Sequence, residues 1–201
     1  MMRSHARAAV IAVVLLLASS PPAVAQWVLS AGIRAPRFSG AAVEPATGRS
    51  LRPYRPTMWD FGIERAGACV GVGVHFRYAS SSLAFEGEDA LAAVKDAISV
   101  YGIDPEVALL VGHLGPQGLI RLYAGPLVEV WKLPDIGSRW RVGIAASVGL
   151  EVPFGDRWAG AARVGAAVTP GSPFAREDLD ASLEPRALWR REAAALLRYR
   201  I

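Results

Sequence analysis

Residues 140 to 154 read Trp-Arg-Val-Gly-Ile-Ala-Ala-Ser-Val-Gly-Leu-Glu-Val-Pro-Phe. Trp140, Val142, Ile144, Ala146, Val148, Leu150, Val152 and Phe154 fall on one parity, against Arg141, Gly143, Ala145, Ser147, Gly149, Glu151 and Pro153 on the other. Side chains alternate across an extended chain, so this stretch is a long strand with one apolar face and one face of small and charged residues. The pattern recurs upstream. Val70, Val72, Val74, Phe76 and Tyr78 oppose Cys69, Gly71, Gly73, His75 and Arg77.

Working outward from these two segments, the same reading places strands near 26–35, 57–66, 68–79, 100–114, 118–132, 138–154, 157–169 and 186–201, eight in all. The fourth is the least regular, because Pro105 interrupts it. Ala66-Gly67, Gly115-Pro116-Gln117-Gly118 and Gly155-Asp156 have the composition of tight turns. Residues 36–56, 80–99 and 170–185 make longer connections, and 133–138 a shorter one. All the tight turns and both ends of the strand region thus fall at one end of the sheet. Residues 88–99 also carry Leu91, Val94 and Ile98 at helical spacing. They form either a helix or one side of a projecting hairpin with Glu86-Gly87-Glu88-Asp89 at its tip.

The first 25 residues have a different character. Arg3 and Arg7 precede an apolar run from Ala8 to Ala18, and the small-x-small triplet Ala23-Val24-Ala25 follows. This is the three-part pattern of a signal peptide, cleaved after Ala25, and the run is shorter than the about 20 residues a spanning helix needs. Domains are therefore expected at 1–25 (signal peptide) and 26–201 (one β-barrel). The formal charge of +4 includes the two leader arginines, so the remainder is closer to neutral and gives no reason to expect nucleic-acid binding. Cys69 is the only cysteine, which excludes an intramolecular disulfide. It reads as a small strand residue.

The aromatic residues decide which face meets which solvent. Trp27, Phe154, Trp158 and Tyr199 collect at the tight-turn end, and Trp59, Tyr78, Tyr101, Trp140 and Trp189 at the loop end, all on the apolar parity. Two such girdles are what a membrane-spanning barrel requires, because amphipathic rings settle at the two interfaces. Trp131 lies on the polar parity and is expected near the barrel mouth. That parity also carries Arg34, Asp60, Glu64, His75, Arg77, Glu106, Arg121, Glu129, Arg141, Glu151, Arg163, Arg190, Glu192 and Arg198. Inside a narrow barrel these charges need partners.

With this layout the chain resembles the small bacterial outer-membrane β-barrel proteins, eight-stranded and similar to the OmpA-type transmembrane domain. The C-terminal Leu196-Leu197-Arg198-Tyr199-Arg200-Ile201 resembles the terminal strand that barrel-assembly machinery recognises, with Ile201 and Leu196 where the family usually has Phe and Gly. The resemblance implies an all-β, closed, antiparallel, up-and-down transmembrane barrel with short periplasmic turns and longer extracellular loops. It also implies a location in the outer membrane of a Gram-negative envelope, contact with outer-membrane lipids, and a monomer.

No residue pattern carries an expected catalytic role, cofactor or metal. Asp60 and Glu64 share one face and are expected to pair with interior arginines. His75 and His113 are far apart, and neither is near Ser80-Ser81-Ser82, where a rim-active lipid enzyme would need a base. Gly67, Gly71 and Gly73 precede no helix, so they make no nucleotide loop. Arg34, Arg37, Arg49, Arg52 and Arg55 gather at the first long loop, where contact with lipopolysaccharide phosphates is one reading and a solvated arginine-rich loop the other. Eight strands enclose an interior that side chains fill, which disfavours an open pore. The expected function is that of a non-enzymatic, porin-like envelope protein in structure or surface binding. The alternatives are a secreted soluble barrel carrying a small apolar ligand and a lipid-modifying enzyme.

Overall fold

The computed structural model describes residues 26–86, 91–133 and 137–201. The leader and the proposed hairpin tip at 87–89 lie outside them. Eight strands form the wall: β1 (Gln26–Phe38), β2 (Met58–Ala66), β3 (Val70–Glu86), β4 (Leu91–Leu114), β5 (Gly118–Leu133), β6 (Gly137–Pro153), β7 (Trp158–Thr169) and β8 (Leu188–Arg200). Each pairs antiparallel with the next, and β1 pairs with β8 from Val28↔Arg200 to Phe38↔Arg190, which closes the ring. Among the described residues no helix is long and apolar enough to cross a membrane.

The alternation of residues 140–154 translates directly into exposure. Trp140, Val142, Ile144 and Val148 are exposed, while Gly143 and Gly149 face inward, where a side chain would strike Thr169, Tyr123 or Arg163. The tight turns close as their residues suggest. Gly115 has φ +64°, a conformation that disfavours other residues, and Gly67 N–H donates to the Val70 carbonyl at 2.9 Å.

The structure decides between the two readings of 88–99 and departs from the sequence reading at two points, the first long loop and Cys69. The helix does not form over 91–99. That segment is the start of β4 and pairs with β3, from Ser80↔Ser99 to Glu86↔Leu91, with a register shift between Ser81 and Leu83. Cross-strand hydrogen bonding outweighs a three-residue apolar spacing. Residues 36–56 are more ordered than a loop: Ala42–Val43 pairs with both Ser50–Leu51 and Glu184–Pro185, and Ser50–Tyr54 pairs with the upper part of β3. Cys69 is exposed in the turn before β3, outside the strand. The irregularity expected at Pro105 is present: β4 runs through it, but pairing with β5 stops at Ile103↔Val128 and resumes at Val107↔Ala124. Pro105 and Pro126 both lie within this gap and neither has an N–H to contribute.

Candidate functional site

Three regions carry the groups from which a function could be built: the charged interior, the loop-end cap and the outer wall. In the interior, the inward parity brings residues from all eight strands to one axis. Glu192 on β8 accepts from Arg34 and from Arg77 (3.3 Å), and lies 3.0 Å from Arg190 Nε. Arg34 also donates to Asp60 from Nε (2.9 Å) and Nη2 (2.5 Å). Asp60 Oδ1 is 2.6 Å from His75 Nδ1, and His75 Nε2 is 3.2 Å from Glu106, which also accepts from Arg163 at 2.8 Å. Arg77 pairs with Asp104, and Arg190 with Glu129.

Toward the tight turns a second group follows. Arg198 donates to Glu64 (2.6 Å) and to the Tyr123 hydroxyl (3.2 Å), and lies 3.4 Å from Glu151. Arg121 stands 3.9 Å from Glu64 and 3.8 Å from Glu151. The two groups meet where the Arg163 guanidinium stacks 3.5 Å above the Tyr123 ring. Glycine makes the room: a Cβ on Gly62 would sit 2.5 Å from both His75 Cε1 and Ser30 Oγ, and one on Gly71 2.5 Å from Glu64 Oε1.

Asp60 and Glu64 are thus brought to arginines and not to each other. Asp60 and Glu106 flank His75, an arrangement invisible in the sequence because it joins three strands. His75 is 1% exposed and touches carboxylates on both ring nitrogens, so no substrate reaches it. Sequence reasoning also missed Asp104 and Tyr123, whose partners come from other strands. Among the described residues no group of three or more His, Cys, Asp or Glu is arranged to hold a metal. Burying an ion without a partner costs several kcal/mol, so this network is what allows a polar core inside the wall. A cavity of about 20 Å³ lined by Arg34, Asp104, Glu106, Tyr123 and Glu192 has room for about one water. That part of the interior is neither apolar nor spacious enough for an apolar ligand.

At the loop end the inward parity changes to apolar. Phe38, Met58, Ala79, Ile98, Val100, Trp131, Leu133 and Leu188 form a buried cluster with Ala41 and with Phe174 from the last loop. Trp131 is fully buried, packs edge-on against Phe38 at 5.7 Å between ring centres, and donates from Nε1 to Glu129 at 3.1 Å. The last loop is held over this cluster by Asp178, which accepts from Arg139 (2.9 Å) and from the Ala175 N–H (2.8 Å). Arg141 donates to the Ser172 carbonyl in the same loop.

The arginines grouped at the first loop do not form one site. Arg34 lies inside the barrel, Arg52 pairs with Glu86 at 2.6 Å, and Arg55 lies over the Tyr54 ring at 5.3 Å. Arg37 points outward from β1. Ser81 donates to the neighbouring Ser82 carbonyl at 3.0 Å, while His75 is held between Asp60 and Glu106 and His113 pairs with Leu119 next to a tight turn.

The outer wall is apolar along the height of the barrel: Ile33, Phe61, Phe76, Ile103, Ile144 and Val164 are all exposed, Ile144 at 66%. Aromatic pairs mark both rims, with Tyr78 and Tyr101 5.0 Å apart at the loop end and Trp158 and Tyr199 4.7 Å apart at the turn end.

No protein-family model matches the chain, and no curated protein matches it in sequence. Solved structures do. Neisserial surface protein A superposes with a TM-score of 0.60 at 8% identity, over 86% of this chain and 96% of that one. The outer membrane protein AlkL, solved in lipid bilayers, gives 0.56 at 12% identity over 91% and 93%. The outer membrane protein OprG of Pseudomonas aeruginosa gives 0.53 at 9% identity over 89% and 96%. At such identities the likeness is one of fold. What the chain shares with them is the fold of a closed, eight-stranded, antiparallel, up-and-down β-barrel.

Proposed function

We propose that the chain is a non-enzymatic protein of the bacterial outer membrane, exported by a cleaved leader at residues 1–25. Its membrane wall carries a cap that serves envelope structure or surface binding. The observation that carries this reading is the apolar outer wall bounded by two aromatic rims around an interior of paired charges. Water is a poor solvent for that wall, and hydrocarbon is a good one. The closed ring also pairs the wall's backbone within the protein, as the bilayer interior demands. The likeness to two proteins described as outer membrane proteins supports the location.

A lipid-modifying activity needs a base near an accessible nucleophile. The two described histidines are a buried one held between carboxylates and one beside the opposite turn. A soluble carrier would need the apolar parity inside. The last strand, with Leu197, Tyr199 and Ile201 outward and Leu196 and Arg198 inward, is read as the segment that assembly machinery engages. The protein is read as a monomer.

Cell fractionation with detergent extraction, and gel mobility before and after heating, test the reading. Recovery in the outer membrane at the mass of residues 26–201, with a heat-dependent shift, is the expected result. A chain that purifies without detergent and shows no shift overturns it. Release of fatty acid, or a change in lipid mass on incubation with outer-membrane lipids, overturns the non-enzymatic part alone.

A further inference from the structure

On the outer wall, Arg37 of β1 and Arg191 of β8 stand directly opposite each other in the register. Both are exposed, and both point to the apolar side, sharing their faces with Ala35 and with Trp189 and Ala193. Like charges in directly opposed positions repel, and side chains there have Cβ atoms only about 5 Å apart. In the interior the arginines are met by carboxylates. Here neither arginine forms an ion pair with a carboxylate among the described residues. The Arg37 Nη1 contact is with the Pro36 carbonyl next to it, at 3.3 Å.

Arg37 and Arg191 border a groove of about 530 Å³, also lined by Ser39, Trp189 and Ala166. The Ser39 hydroxyl accepts from the Trp189 N–H at 3.0 Å, so its own proton is available to donate outward. Ala166 pairs with Arg191, and Ala35 with Ala193; Ala195 and Ala162 pair one step further down the wall. All are small and exposed, so below the arginines Ala193 and Ala195 leave a shallow apolar track between the exposed Val164 and Ile33.

We infer that Arg37 and Arg191, with Ser39, form a binding site for the phosphate group of an outer-leaflet lipid whose acyl chain lies along the alanine track. Two adjacent guanidinium groups match a phosphate's geometry and charge, and one dianion relieves their mutual repulsion. A lipid fits where a free ion does not. The arginines lie on the apolar side, on the bilayer side of Trp189, and the track below them accommodates hydrocarbon.

This rests on the membrane reading above, and the experiment separates the two. The folded, heat-shiftable barrel in detergent is titrated with lipid A and with lipid A stripped of its phosphates, and bound lipid is read by native mass spectrometry. The parent protein is expected to bind the phosphorylated lipid about tenfold or more tightly than the stripped one, and Arg37→Ala/Arg191→Ala to lose that preference. Arg37→Lys/Arg191→Lys is expected to retain part of it, and Arg55→Ala all of it. Equal binding of both lipids by the parent, or an unchanged preference in the double alanine variant, overturns the site. Displacement of the lipid by inorganic phosphate at equal concentration overturns the lipid as its occupant. A chain that never shows the heat shift fails before lipid is added, and then it is the membrane reading that falls.

Discussion

Ile144 and Trp131 lie on neighbouring antiparallel strands, yet the first is 66% exposed and the second is fully buried. They belong to two regions with opposite rules. Along the height of the wall, apolar residues face out and charges face in. In the cap, Phe38, Met58, Ile98 and Leu188 face in, as they do in a protein dissolved in water. The inversion occurs within single strands: β8 carries Leu188 inward at the loop end and Arg190, Glu192 and Arg198 inward below it. Each region puts its apolar residues wherever the local solvent does the least harm. On the proposed membrane reading, the boundary between them marks where hydrocarbon gives way to water.

The sharpest way to break this comparison is to unbalance the charged region. Glu192→Ala leaves Arg34, Arg77 and Arg190 without their shared carboxylate. Removing one partner of a buried pair costs about 3–5 kcal/mol. Urea unfolding in lipid vesicles should show that loss across the whole barrel. An unchanged midpoint would mean that the interior network does not hold the wall together.

Trp131→Ala, at about 3–5 kcal/mol for a core aromatic, should act locally. Limited proteolysis should cut the loops while the wall strands stay protected and the heat shift persists. Cleavage within the wall would show that cap and barrel are one cooperative unit. Ile144→Arg should cost about 2–4 kcal/mol if its position faces mid-bilayer hydrocarbon. In vesicles of longer-chain lipid the cost should grow, and insensitivity to lipid thickness would remove Ile144 from the hydrocarbon. At the small end, Arg55→Ala changes an exposed loop residue and should stay within about 0.5 kcal/mol. A larger effect would extend the cap's cooperative unit into the first loop.

Much of the wall was legible in the chain because period-two alternation is a local signal. Trp140 to Phe154 reveals its two faces without reference to any other strand. The girdle aromatics were legible for the same reason, and Trp131 stood out by breaking its strand's parity. The upper half of the hairpin was not: Leu91, Val94 and Ile98 satisfy helical spacing as well as a strand, and only pairing with β3 chooses between them. The first loop was misread because its strands are short and take their hydrogen bonds from β3 and from Glu184–Pro185, distant in sequence.

The sites divide in the same way. That Arg34, Asp60, His75 and Glu192 face inward follows from parity alone. That His75 lies between Asp60 and Glu106 depends on the register of β2, β3 and β4. Arg37 and Arg191 are 154 positions apart in the chain and come together only when β8 closes on β1. By itself the sequence determined the strand number, the two faces and which of them is apolar, because alternation and aromatic placement are properties of each strand alone. The tertiary structure decided which charges pair, what caps the mouth and which arginines meet on the wall, because these depend on register, and register is set by closure of the whole ring.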